Sequence, residues 1–118
     1  MGQPVAMFEI VSDDLGRAKS FYADLFDWKL QNDPSMGDYT LVDTGAGESA
    51  LIGGIGSAAN PGDVGVKVYV RVDDLAGYLE RAEQLGGTKL VEPTALPGDF
   101  GSFAIFADPD GNQVGLWA

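Results

Sequence analysis

The chain has 118 residues, with 7 lysines and arginines against 18 aspartates and glutamates, which gives a formal charge of −11. Histidine and cysteine are both absent, which excludes disulfides, cysteine nucleophiles, histidine-based triads and the side chains that most often bind zinc. The acidic balance disfavours nucleic acid and anionic membrane surfaces, because phosphate groups are bound by clustered Lys and Arg. No apolar run is long enough to span a bilayer and no signal segment is visible, so we expect one cytoplasmic domain.

The first half of the chain predicts a strand, a helix and three more strands. Residues 5–11 read VAMFEIV, and such β-branched and alternating apolar residues are typical of a strand. Apolar residues at helical spacing predict a helix over about 14–26, capped by Ser12 or Asp13. The remaining strands are predicted over about 27–31, 38–43 and 49–55.

The second half predicts the same order of elements. Residues 65–72 read GVKVYVRV, a strand pattern. A helix follows over about 74–85, capped by Asp73 and ended by two glycines. The last three strands are predicted over about 87–91, 100–106 and 112–117, with residues 92–99 as a surface loop.

A shift of 60 residues aligns the two halves. The segment Asp13-Asp14-Leu15 then falls on Asp73-Asp74-Leu75, and Lys29-Leu30 falls on Lys89-Leu90. Matches in this order, at a constant offset, indicate a duplicated half. The sequence therefore predicts an α+β fold of two tandem βαβββ modules, about 5–56 and 65–117. We expect them to form a curved mixed sheet around a central trough, and a concave trough is the usual place for a ligand.

Several of these residues resemble the glyoxalase / bleomycin-resistance / extradiol-dioxygenase superfamily, which has the vicinal oxygen chelate fold. The resemblance covers essentially the whole chain and implies paired βαβββ modules and, often, a homodimer. The matching residues are Met7-Phe8-Glu9-Ile10, Asp13-Asp14-Leu15, Phe21-Tyr22, Phe26-Asp27-Trp28, Tyr69-Val70-Arg71-Val72-Asp73-Asp74 and Asp108-Pro109-Asp110-Gly111-Asn112.

The resemblance also implies four metal-ligand positions, two on the first strands of the modules and two on the last strands. In this sequence the four positions hold Met7, Gly53, Lys67 and Gly115. The glycines offer no side chain, the lysine brings a positive charge, and a thioether is a poor ligand for the metals used by these enzymes. We therefore expect no bound metal and no other cofactor.

We predict that the trough binds a small organic molecule. Strand alternation places Glu9 on the face of Met7, and Tyr69 and Arg71 on the face of Lys67. The same charges would also suit a structural ion pair of Glu9 with Lys67 or Arg71, and this alternative stays open. The predicted ligand-binding residues are Met7, Glu9, Gly53, Lys67, Tyr69, Arg71, Phe100, Gly115 and Trp117.

The resemblance implies three candidate functions. The family includes proteins that sequester cationic antibiotics without chemistry, and the acidic charge and missing metal ligands favour this class. The alternative is a lyase, isomerase or dioxygenase with an unorthodox or metal-free site, for example around Glu9 and Glu48, although no catalytic residue can be assigned. The third is a vestigial pocket on a protein that binds a partner through its exposed strands. We expect a small-molecule ligand, no nucleic-acid or membrane partner, and a homodimer.

Overall fold

The computed structural model describes residues 2–45, 47 and 51–118. Within these residues the fold is α+β, with eight strands and two α-helices in two βαβββ-like modules. The chain divides into two compact units: the N-terminal unit, residues 7–66, and the C-terminal unit, residues 67–118 together with those up to 6. The elements are β1 Val5–Val11, α1 Leu15–Phe26, β2 Lys29–Asn32, β3 Thr40–Asp43, β4 Ile52–Gly56, β5 Val66–Arg71, α2 Leu75–Gln84, β6 Thr88–Ala95, β7 Ser102–Ala107 and β8 Gln113–Trp117.

In the N-terminal unit the strands lie in the order β2-β3-β4-β1. Strand β1 pairs with β4 in parallel, and the other neighbours are antiparallel. One face of this sheet packs against α1 through a core of Ile10, Val42 and Ile55. Because the side chains of a strand alternate, Met7 and Glu9 lie on the opposite face, which α1 does not cover.

The C-terminal unit repeats this arrangement, with the strand order β5-β8-β7-β6. Strand β5 pairs with β8 in parallel, and β7 pairs antiparallel with both β8 and β6. Helix α2 covers one face of the sheet. The buried residues of this core are Val72, Leu75, Leu79, Ala104 and Leu116.

The two helices begin in the same way, 60 residues apart. Asp14 accepts a hydrogen bond from the backbone N–H of Arg17 at 3.1 Å, and Asp74 accepts one from Gly77 at 3.0 Å. The caps are therefore Asp14 and Asp74, so the predicted caps Ser12, Asp13 and Asp73 were wrong by one or two residues. In each Asp-Asp pair it is the second residue that directly precedes the helix, so its carboxylate can reach the backbone N–H groups of the first turn.

The observed strands differ from the predicted ones at β6, and the start of the predicted fourth strand is not described. Strand β6 runs to Ala95, so the first part of the predicted loop over 92–99 is paired with β7. The register shifts between Val91 and Thr94, and such a bulge lets the sheet accommodate Pro93, which has no N–H to donate. In the fourth strand, the predicted residues 49 and 50 lie outside the described residues, as does Glu48.

The turn before β8 is closed by side-chain hydrogen bonds. The Asp108 carboxylate accepts from the backbone N–H groups of Asp110 and Asn112, both at 2.9 Å, and from the Asn112 side chain at 3.0 Å. These donors, led by the Asn112 side chain, hold the pKa of Asp108 below its ordinary value. Gly111 has a φ of 89°, a conformation that glycine adopts without strain. In the described part of the chain, neither helix has the length and apolar character needed to cross a bilayer.

Candidate functional site

The N-terminal unit buries a carboxylate and holds it with a tyrosine. Glu9 on β1 is 5% exposed, and the Tyr39 hydroxyl donates a hydrogen bond to its Oε2 at 3.1 Å. Tyr39 directly precedes β3 and follows a short 3-10 helix, Pro34–Met36. The backbone N–H of Tyr39 donates to the carbonyl of Met36 at 3.2 Å, which fixes the residue at the start of the strand.

Two glycines on β4 make room for the Tyr39 ring. A Cβ atom at Gly54 would overlap the Tyr39 hydroxyl oxygen and its ring, and a Cβ at Gly56 would lie 2.8 Å from ring carbon Cε1. Real Cβ atoms essentially never approach another atom so closely. The ring therefore occupies the space that side chains at positions 54 and 56 would need, and this placement brings its hydroxyl to Glu9.

The environment of Tyr39 keeps its hydroxyl protonated. Burial, the charge of Glu9 and the hydrogen bond to that carboxylate together raise the pKa of Tyr39 well above its ordinary value of 10.0. The hydroxyl is therefore a hydrogen-bond donor at neutral pH. A buried carboxylate needs such donors, because an unsatisfied buried charge is very costly.

The register of β1 and β4 corrects one predicted position. Glu9 lies beside Gly54, whereas Gly53 lies beside Phe8, on the face that packs against α1. A Cβ at Gly53 would overlap the Phe8 ring. In the C-terminal unit the corresponding pair is Tyr69 with Gly115, so the last-strand position equivalent to Gly115 is Gly54 and not Gly53. The offset between the halves is 61 at this strand, whereas the predicted pair Gly53 and Gly115 assumed an offset of 62, which explains the error.

In the C-terminal unit, the predicted residues of β5 share the face that α2 does not cover. Tyr69 lies beside Gly115, and its ring fills the space that a Cβ at Gly115 would need. Lys67 is 5% exposed, and its ammonium group lies 5.7 Å from the centre of the Tyr69 ring. Arg71 follows two residues later on the same face, as the alternation of the strand requires.

Arg71 and Trp117 form the second polar contact on this face. The guanidinium carbon of Arg71 lies 4.3 Å from the centre of the Trp117 ring, within the range of a cation–π interaction. The indole N–H of Trp117 donates to the carbonyl of Phe100 at 2.7 Å. The backbone of Phe100 thus orients Trp117, and the indole in turn orients Arg71.

The residues at the family's ligand positions do not fit a metal ion. In the N-terminal unit these are Met7, whose sulfur suits only soft metals, and Gly54, whose side-chain space is filled by Tyr39. In the C-terminal unit they are the cationic Lys67 and Gly115, whose side-chain space is filled by Tyr69. No group of three Asp or Glu that could hold a metal occurs among the described residues. A tyrosine ring thus stands at the last-strand ligand position of each unit.

The structure brings the predicted residues together in two sets, one in each unit. Met7 and Glu9 share a face in the N-terminal unit, while Tyr69 and Gly115 are paired in the C-terminal unit. The ion pair of Glu9 with Lys67 or Arg71 stays a prediction. The contact between Tyr39 and Glu9 was not predicted from the sequence. The signal for that contact was the spacing of Gly54 and Gly56, which leaves two successive positions on one face of β4 without a side chain.

The sequence profile of the Glyoxalase/Bleomycin resistance protein/Dioxygenase superfamily matches residues 5–116. The chain belongs to this superfamily. A crystal structure of a superfamily member from Vibrio splendidus has the same fold, with a TM-score of 0.61 and 15% identity over 98% of this chain and 97% of that one. Methylmalonyl-CoA epimerase from Mycobacterium tuberculosis also shares it, with a TM-score of 0.58 and 17% identity over 98% of this chain and 86% of that one.

The curated relatives of this glyoxalase-like protein are distant in sequence. CFP32 of Mycobacterium tuberculosis, which is provisionally named a glyoxylase, is 28% identical over 92% of this chain and 43% of its own length. The anthracycline biosynthesis protein DnrV of Streptomyces peucetius is 28% identical over 95% of this chain and 46% of its own length. The chain thus spans less than half the length of these two relatives.

Proposed function

We propose that this glyoxalase-like protein binds a small organic molecule that carries a cationic group, and that it does so without a metal. The observation that carries the proposal is the buried Glu9 carboxylate, which Tyr39 holds at 3.1 Å. A carboxylate removed from water attracts a ligand cation more strongly than one on the surface, because the local dielectric constant is lower. The net charge of −11 adds a long-range attraction for cations.

The relatives support this class of ligand. The superfamily description includes bleomycin resistance proteins, and DnrV is named for anthracycline biosynthesis. Anthracyclines combine a planar aromatic system with an amino sugar that is protonated at neutral pH. A molecule of this kind would place its ammonium group near Glu9 and its apolar part against residues such as Met7, which is 9% exposed. Binding without chemistry would make the protein a sequestering or resistance protein.

The test compares an anthracycline that carries an amino sugar with its aglycone, which lacks the amine. Isothermal titration calorimetry should show at least tenfold tighter binding of the glycoside, and Glu9→Gln should abolish this preference. Asp13→Asn is the matched control, because the Asp13 side chain is 97% exposed in the same unit. Equal binding of glycoside and aglycone by the native protein, or an unchanged preference in folded Glu9→Gln, would contradict the proposal.

A second candidate is an enzyme in which Glu9 transfers a proton. The observation that favours it is the contact between a buried carboxylate and a tyrosine that stays protonated, since such a pair can serve as base and hydrogen-bond donor. The chemistry would be that of a metal-free lyase or isomerase. In that case Glu9→Gln would retain ligand binding but lose turnover, whereas the sequestration proposal expects the loss of binding itself.

A further inference from the structure

The C-terminal unit contains a cavity of about 320 Å³ between α2 and the sheet. It lies on the helix-covered face and therefore on the opposite side of the sheet from Tyr69 and Arg71. Its walls are almost entirely apolar. The sheet contributes Val70, Phe106 and Leu116, and the helix side contributes Tyr78, Ala82 and Leu85.

Comparison of the two modules explains why this space is open. In the N-terminal unit, the corresponding region is filled by a cluster of aromatic rings. Tyr22 stacks on Trp28 with ring centres 5.7 Å apart, and Phe26 lies 5.0 Å from Trp28. Sixty residues later the same positions hold small side chains or none: Ala82, Gly86 and Thr88. The second module therefore lacks side chains large enough to fill this space at the three positions that carry aromatic rings in the first module.

The mouth of the cavity carries an arginine. Arg81 lines this cavity and also an adjoining polar cavity of about 570 Å³. No carboxylate in the described residues lies within ion-pairing distance of its guanidinium group. Two of the carboxylates that line the two cavities already accept backbone hydrogen bonds. Asp108 accepts from Asn112 in the turn before β8, and Asp74 accepts from Gly77 as the N-cap of α2. Asp73 also lines the adjoining cavity, and it makes no ion pair with Arg81.

We propose that this cavity binds an aromatic carboxylic acid. The ring system would occupy the space that Tyr22, Phe26 and Trp28 fill in the N-terminal unit, and the carboxylate would pair with Arg81. A cavity of about 150 Å³ lined by apolar side chains binds benzene, so about 320 Å³ has room for two fused rings. Arginine suits the carboxylate because its planar fork can donate two parallel hydrogen bonds.

The first experiment tests the charge of the ligand with 2-naphthoate and 2-naphthylmethylamine as probes. These molecules share a ring system and carry opposite charges. Fluorescence titration should show that the acid binds at least tenfold more tightly than the amine, although the protein is strongly acidic. Arg81→Gln should weaken naphthoate binding by roughly tenfold, the effect of losing a charge-assisted hydrogen bond. Arg17→Gln, which changes an exposed arginine of the N-terminal unit, should have no effect.

The second experiment tests the location. Ala82→Tyr restores the residue of the first module at that position, so it should abolish naphthoate binding without lowering the melting temperature. Amide chemical-shift changes in the native protein provide a readout that needs no variant, and they should centre on Ala82, Phe106 and Leu116. The proposal is overturned if the amine binds as tightly as the acid, if folded Ala82→Tyr still binds naphthoate, or if the shift changes centre elsewhere.

Discussion

Replacing Gly54 by alanine would place a methyl group where the Tyr39 ring lies. The new Cβ would overlap the hydroxyl oxygen and ring carbon Cζ of Tyr39, so the ring has to move away from Glu9. Overpacking of this kind costs about 1–3 kcal/mol. The lost hydrogen bond to the buried carboxylate is worth about 1.5–3 kcal/mol. The two effects overlap because both follow from one displacement, so we expect Gly54→Ala to lower the free energy of unfolding by about 2–4 kcal/mol.

A double-mutant cycle separates this steric cause from a general sensitivity of β4. With Tyr39→Ala the space beside Gly54 is open, so adding Gly54→Ala should be neutral or stabilise the fold by about 0.5–1 kcal/mol. The coupling energy between the two positions is the difference between these two effects of Gly54→Ala and should be about 2–5 kcal/mol, at or above the upper end of the range for residues in contact. Urea unfolding monitored by circular dichroism gives all four values.

Gly16→Ala is the matched control for the same substitution. A Cβ there meets only Asp14 Oδ1, at 3.9 Å, and the residue lies in α1. We expect it to stabilise the fold by about 0.5–1 kcal/mol, since alanine favours a helix more than glycine does. If the effects of Gly54→Ala and Tyr39→Ala on the free energy of unfolding were additive, they would refute the argument that glycine is needed at position 54 to make room for the Tyr39 ring.

Three further predictions concern single contacts. The raised pKa of Tyr39 contributes stability that is fully present below the ordinary tyrosine value of 10.0 and is lost as the pH rises above it. In urea unfolding, the free energy of unfolding of the native protein should therefore fall more steeply above pH 10 than that of Tyr39→Phe. Equal slopes for the two proteins would refute this. Asn112→Ala removes the principal donor that lowers the pKa of Asp108, so an NMR titration of the carboxyl carbon should show this pKa rising towards 3.8. As the pH drops below about 4, the free energy of unfolding of the native protein should fall more than that of the variant. Trp117→Phe removes the hydrogen bond to Phe100 and weakens the contact with Arg71, so it should cost about 1–2 kcal/mol in urea unfolding; a change below about 0.3 kcal/mol would show that these contacts contribute little.

The order of the helices and strands could be predicted because the same sequence pattern precedes the helix in each module. An Asp pair precedes an apolar row at helical spacing, and the two helices begin at Leu15 and Leu75, as the 60-residue repeat requires. Strand alternation likewise placed Glu9 with Met7, since the period of two residues is fixed by the pleat. These features depend on local chemistry that one sequence displays directly.

The contacts between distant residues could not be predicted with the same certainty. Tyr39 and Glu9 are 30 residues apart, and their hydrogen bond depends on the register of β3, β4 and β1. A slip of one residue moves every side chain to the other face, which is why Gly53 was chosen in place of Gly54. The cavity beside α2 was missed for a related reason. It is visible only when the small residues Ala82 and Thr88 are compared with their aromatic counterparts in the first module.

The most direct test of the account is a metal analysis of the purified protein with and without EDTA treatment. The protein is equilibrated with Zn²⁺, Mn²⁺ or Ni²⁺, passed through a desalting column and assayed by inductively coupled plasma mass spectrometry. We predict far less than one equivalent per chain and an unchanged melting temperature after EDTA, because tyrosine rings occupy the side-chain space of Gly54 and Gly115. One tightly held metal ion per chain, removed by EDTA with a fall in melting temperature, would contradict the account.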